Sequence, residues 1–197
     1  MKQDIILCGV GGQGILSIAT VIGWAALDQN LHLKQAEVHG MSQRGGDVQS
    51  NLRLSSEPIH SDLIPLGSCD LIVSLEPMEA LRYLPYLATN GWIITNSVPF
   101  VNIDNYPDMA AVDGELASIK NVIKLDVDAI ARDIKSPRSA NMVLLGAMAS
   151  QLNIIDAQRL KEGIAQVFAR KGQAIVDTNV KAFEAGYDYA KAHLGKA

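Results

Sequence analysis

Apolar positions along the chain switch between two periods. Residues 5–8 (Ile-Ile-Leu-Cys) are a short unbroken apolar run, the pattern of a strand covered on both faces. Over residues 13–27 the spacing turns helical, with Ile15, Ile18, Ala19, Ile22 and Ala26 on one face. Residues 34–38 read as a second strand. Residues 47–54 alternate strictly, Val48, Ser50, Leu52 and Leu54 against Gln49, Asn51 and Arg53, which is the period of a half-exposed strand. Glu57-Pro58 ends it, and an antiparallel place at a sheet edge is expected for it. Residues 70–75 form another apolar strand. Glu76-Pro77 then opens a helix with proline in its first turn, and Pro85 stops that helix early. An Asn90-Gly91 turn precedes a strand over 92–95, and a further strand covers 122–125.

Beyond residue 141 the period is helical throughout, with helices expected over 142–152, 156–168 and 173–193; Lys171-Gly172 separates the last two as a helix-stop signal. Residues 98–117, rich in Asn, Asp and Pro, read as a long excursion over the surface. Strands alternating with helices predict an α/β fold: a doubly wound, mostly parallel, Rossmann-like sheet with helices on both faces and a helical C-terminal tail. No repeat, low-complexity tract or linker divides the chain, so residues 1–197 are expected to form a single domain.

Composition narrows the function. Of the 197 residues, 48% are hydrophobic and 19% charged, the balance of a packed globular chain. A net charge of −4 without long like-charge runs argues against nucleic acid as a partner. Two cysteines, Cys8 and Cys69, supply neither a disulfide framework nor the thiolates of an iron–sulfur cluster, and Cys8 reads as a buried small hydrophobe. Asp4 interrupts the apolar start, so no signal peptide is read there, and the longest apolar stretch, residues 142–149, is too short to span a bilayer. A cytoplasmic protein without membrane contact is expected.

Candidate chemistry gathers in two glycine-rich turns, Gly9-Val-Gly-Gly-Gln-Gly14 and Ser42-Gln-Arg-Gly-Gly46. The first joins a strand to a helix, which aims unpaired N–H groups and the positive end of the helix dipole at whatever lies above. The second presents Arg44 among small residues. If the strands preceding the two turns lie side by side in a parallel sheet, both turns emerge at its carboxyl edge, where doubly wound folds bind ligands. The candidate site is Gly9, Gly11, Gly12, Gln13, Gly14, Ser42, Gln43, Arg44, Gly45 and Gly46. Glu37 and His39 are supporting candidates; so is Asn141, read first as the N-cap of an apolar helix. Arg44 suits either a phosphate or an acidic group on a partner. Gly9, Gly11 and Gly14 also satisfy the dinucleotide fingerprint, with Glu37 near the expected acidic position. A stand-alone NAD(P)-binding oxidoreductase or redox sensor is therefore the alternative. There is no nucleophile elbow, Walker lysine or metal-binding motif, and the four histidines share no ligand spacing.

The run Gly9-Val-Gly-Gly-Gln-Gly-Ile15 followed by Glu37-Val-His-Gly-Met-Ser-Gln-Arg-Gly-Gly46 resembles the gamma subunit or domain of 2-oxoacid:ferredoxin oxidoreductases. Pro58-Ile-His-Ser61 and Ser74-Leu-Glu-Pro-Met-Glu-Ala-Leu-Arg-Tyr83 strengthen the likeness, which runs to about Phe168. In length, the chain is most similar to the separate beta subunits of the indolepyruvate-type enzymes. The resemblance implies conversion of a 2-oxoacid and coenzyme A to an acyl-CoA and carbon dioxide, with reduction of ferredoxin. It also implies that thiamine diphosphate, magnesium and iron–sulfur clusters sit on a large alpha subunit. This chain has no Gly-Asp-Gly motif for thiamine diphosphate and holds none of these groups alone. Its implied task is to complete the active site, with CoA contacting the two glycine turns, and as an orphan it is expected to self-associate.

Overall fold

The computed structural model describes residues 1–40 and 45–194. A six-stranded mixed sheet forms its centre. It is built from β1 (Lys2–Val10), β2 (His32–His39), β3 (Asp47–Ser55), β4 (Cys69–Ser74), β5 (Leu87–Asn96) and β6 (Val122–Leu125), in the spatial order β2-β3-β1-β4-β5-β6. The run β1-β4-β5-β6 is parallel, whereas β3 pairs antiparallel with both β1 and β2. The antiparallel direction expected for residues 47–54 is present; the edge position is not. β3 lies between β2 and β1, and β2 is the edge strand. Ser50, Asn51 and Leu52 are consecutive and point to alternate faces, yet all three are buried, as in a strand with neighbours on both sides.

Helices cover both faces. On one, α1 (Ile15–Asp28), α5 (Ala140–Ala149), α6 (Ala157–Phe168) and α7 (Gln173–Leu194) enclose Ile5, Leu7, Leu71, Val73 and Ile94. On the other, α2 (Pro77–Arg82) and α3 (Met109–Ser118) close over Ile6, Cys8, Ile72 and Ile93. Alternate residues of β1 thus feed opposite cores, which is why its sequence is apolar without interruption. Burial pushes the Cys69 thiol up to about 12 and raises that of Cys8 further, so both stay protonated packing groups.

Two local expectations are corrected, and one further helix is present. Asn90-Gly91 is no turn: β5 runs through it, and its pairing with β4 slips between Cys69 and Leu71. Residues 98–117 are not all surface loop. Their second half is α3, capped by Asp108, whose side chain accepts from Ala110 N–H at 3.0 Å, and anchored by buried Val112 and Leu116. A short helix, α4 (Val127–Asp133), follows β6, capped by Asp126. Its single buried face, Val127 and Ala131, is too brief to show a period. No helix is long and apolar enough to cross a membrane among the described residues.

Candidate functional site

β1 and β2 are not neighbours, yet their ends meet at one edge. Because β3 is antiparallel to both, β2 runs the same way as β1, and β2 ends and β3 begins at the carboxyl edge of the sheet. The two glycine turns touch there: Gly11 N–H donates to Gly46 O at 2.8 Å and Gly45 N–H to Gly11 O at 3.3 Å. Ser42, Gln43 and Arg44 lie outside the described residues.

Gln13 fastens the first turn. Its Oε1 accepts from Val10 N–H at 2.7 Å, and its Nε2 donates to Leu75 O at 3.1 Å, tying the end of β1 to the end of β4. Gly14 caps α1 in the left-handed region (φ +90°), where a side chain would be strained and where a Cβ would come within 2.7 Å of Asn141 Nδ2. Asn141 is not the N-cap expected for it. Ser139 holds that position, and Asn141, the second residue of α5, sends its Nδ2 to Gly14 O at 3.2 Å. It braces the turn from behind.

Gly11, Gly12 and Gly14 line an open cleft of about 380 Å³ together with Val10, Ile15, Leu16, Val48, Glu37 and His39. His39 Nδ1 donates to Gly40 O at 3.2 Å, leaving Nε2 as the exposed nitrogen. The structure therefore brings together Gly11, Gly12, Gly14, Glu37 and His39, joins Gly45 and Gly46 to them by hydrogen bonds, and keeps Gln13 and Asn141 as braces. Gly9, whose added Cβ would meet Gln13 Oε1 and Ile15 Cδ1, serves packing beneath the turn. The dinucleotide reading needs β1 and β2 adjacent and parallel, and the interposed β3 removes that arrangement.

Sequence reading missed a second group at the same edge. Glu76, fully buried at the N-cap of α2, accepts from Glu79 N–H at 2.8 Å, from Phe100 N–H at 3.3 Å and from the Tyr106 hydroxyl. Burial and that carboxylate raise the Tyr106 hydroxyl's pKa, so it remains a donor. Asn102 Nδ2, between them in sequence, donates to Gly45 O. The strap after β5 is thus pinned to the sheet at one side and to the second glycine turn at the other. Nearby, Glu79 takes a bidentate grip on Arg82, at 2.7 and 3.1 Å, and the Tyr83 hydroxyl donates to Asp47. Burial, with Asp47 beside it, pushes Glu79 above its ordinary value despite Arg82. The one signal for Glu76 is its place before proline at a strand end, which marks an N-cap but not the strap it holds.

The site is a glycine-lined cleft at the carboxyl edge of a mixed α/β sheet, and no cluster of three or more His, Cys, Asp or Glu that could hold a metal ion is found among the described residues. The family model for pyruvate ferredoxin/flavodoxin oxidoreductase matches residues 4–189, and the chain belongs to that family. It is 35% identical over 205 residues to the indolepyruvate oxidoreductase subunit IorB of Pyrococcus horikoshii, covering 98% of this chain and 99% of that one. The 2-oxoglutarate:ferredoxin oxidoreductase of Magnetococcus marinus, solved with 2-oxoglutarate, coenzyme A and succinyl-CoA bound, superposes with a TM-score of 0.76 at 25% identity. That match covers 97% of this chain and 31% of the longer one. The gamma subunit of a keto/oxoacid ferredoxin oxidoreductase from Geobacter sulfurreducens shares the fold, with a TM-score of 0.67 at 23% identity over 96% of this chain and 99% of that one.

Proposed function

We propose that this chain is the small, cofactor-free subunit of an indolepyruvate-type 2-oxoacid:ferredoxin oxidoreductase, and that its glycine edge faces the large subunit and the CoA channel. The observation that carries the reading is the pair of mutually hydrogen-bonded glycine turns over a cleft, in a chain that matches indolepyruvate subunits along nearly its whole length. On this reading the large subunit holds thiamine diphosphate, magnesium and the iron–sulfur clusters, which supply the decarboxylation and electron-transfer chemistry. The residues of this chain bind and orient. Gly11 and Gly14 let a ligand approach the backbone closely, and the N–H groups opening α1 offer hydrogen bonds to its carbonyl or anionic groups. Val10, Ile15, Leu16 and Val48 pack an apolar arm and keep water from it. Arg44, next to Gly45 in sequence, is the cation this reading assigns to CoA. Ferredoxin takes the two electrons from the complex, and the protein works in the cytoplasm as one domain.

Anaerobic co-purification of the tagged chain tests this. A large brown partner should accompany it, and the complex should reduce a viologen dye only when given a 2-oxoacid and CoA, with indolepyruvate the best of a substrate panel. A colourless chain that purifies alone and is inactive on every 2-oxoacid would reject the proposal. Arg44→Ala should raise the KM for CoA; unchanged acyl-CoA formation with unchanged assembly would remove the CoA role of the second turn.

A further inference from the structure

A second cleft, of about 480 Å³, opens behind Gly14 and is lined by three cations. Lys135, Arg138 and Lys171 line it with Ser17, Asn141 and Thr178, and no Asp or Glu does. None of the three cations forms an ion pair among the described residues, in a chain of net charge −4. Like charges gathered in a concave wall reinforce one another's field and cost the fold stability through repulsion, so an anion at this place lowers the energy of the whole cluster.

The backbone beneath Lys135 carries a second, independent sign. α4 ends in a Schellman turn: Ser136 N–H donates to Ala131 O at 2.7 Å and Lys135 N–H to Arg132 O at 2.9 Å. Lys135 occupies the left-handed position of that turn (φ +60°), where glycine is the unstrained residue. A lysine in this strained place, lining one cleft with Arg138 and Lys171, points to a task for its ammonium. Lys171 is steadied at the rim by the Phe168 ring, 5.2 Å from its centroid.

The two clefts share a corner. Asn141, in the wall of the basic cleft, donates to Gly14 O, and the amide of Ser17, from the same wall, donates to that oxygen at 3.1 Å. On the other side of Gly14 the first cleft is lined by glycines and apolar residues with Glu37 and His39 and without Lys or Arg, a lining that accepts a largely uncharged chain. We propose that the Lys135–Arg138–Lys171 cleft is an anion subsite for the phosphate-bearing end of a nucleotide. It deepens, and rests on, the CoA reading above: the nucleotide phosphates of CoA sit in the basic cleft and its apolar arm turns past Gly14 into the glycine cleft.

The test compares CoA with dephospho-CoA, which lacks only the 3′-phosphate, in the assembled complex. Wild type should prefer CoA. The double variant Lys135→Gly/Arg138→Gln should lose at least tenfold in kcat/KM for CoA but less than threefold for dephospho-CoA, collapsing the preference. Lys135→Gly alone should keep the full chain at least as stable as wild type in urea, because glycine relieves the left-handed strain; a loss of affinity then cannot come from unfolding. Titration of the full chain with 3′,5′-ADP gives a direct readout, with binding expected in wild type and at least tenfold weaker in the double variant. Equal losses for CoA and dephospho-CoA, no preference in wild type, or 3′,5′-ADP binding that the substitutions leave intact would each overturn the subsite. If the double variant changes nothing while Arg44→Ala raises the KM for CoA, the basic cleft falls and the glycine-edge reading stands. If neither moves, both fall.

Discussion

Gln13 shows how one side chain sets the shape of a turn that glycines alone would leave loose. Its amide closes a hydrogen bond to Val10 N–H and another to Leu75 O, across two strands. Gln13→Ala strands a part-buried N–H, for which a cost of about 1–3 kcal/mol is expected; a lower urea midpoint with an unchanged m-value checks it. Glu79 carries a pH signature. Its pKa in the folded chain lies above the ordinary 4.5, because burial and Asp47 disfavour the charge more than Arg82 favours it. The folded state therefore binds more protons than the unfolded state at and above that pH, and this group's stabilising share fades as pH rises through the folded pKa. Glu79→Gln cannot titrate, so its stability relative to wild type should rise between pH 4.5 and pH 7. Urea unfolding at both pH values measures this, and a constant difference would remove Glu79 as the source.

At the scale of elements, the close crossing of α5 and α7 carries the helical side of the fold. Gly146 and Gly186 face one another across it. A Cβ on Gly146 would stand 1.9 Å from Phe183 O, and one on Gly186 equally close to Val143 O, so backbone packs directly on backbone. Neither clash can be relieved by turning a side chain. Gly146→Ala or Gly186→Ala should each cost about 3 kcal/mol or more, the upper range of overpacking, read as a fall in Tm; a change under about 1 kcal/mol would mean the helices move apart freely. The sequence shows that α5 is apolar on all sides, hence covered all round, but not which helix covers it. The same limit applies to β3. Its alternation is plain, and its antiparallel sense could be expected. Its place between β2 and β1 depends on which strands accept it as a neighbour, a contact between residues up to 53 positions apart in sequence.

Across the whole molecule, the carboxyl edge is unusually apolar for a surface. Leu16, Val38, Phe100, Val101 and Ile103 are all exposed there, around the glycine cleft and on the strap that Glu76 and Asn102 hold in place. Exposed apolar surface of this kind marks an interaction face. In the assembly proposed above, Val101→Asp should weaken association with the large subunit at least tenfold while leaving the Tm of the free chain unchanged. Size-exclusion chromatography of the reconstituted complex checks the first expectation and thermal unfolding the second. Assembly at wild-type strength would place the interface elsewhere.

Local physics made much of this legible before any coordinates. An unbroken apolar run requires a strand covered on both faces, a proline after Glu76 marks a helix start, and Gly9-Val-Gly-Gly-Gln-Gly14 requires a tight turn from β1 into α1. Those depend on neighbours within a few residues, so residues 1–28 and the three C-terminal helices could be read from pattern alone. Tertiary structure decided what depends on distant partners. It set β3 between β2 and β1, made Asn141 a brace for Gly14, pinned the strap through Glu76, and gathered Lys135, Arg138 and Lys171 from separate segments around one cleft. Each is a contact whose energy is gained only after the chain has closed long loops, and no local pattern records which of many possible closures buries the most apolar surface while leaving the fewest polar groups unpaired.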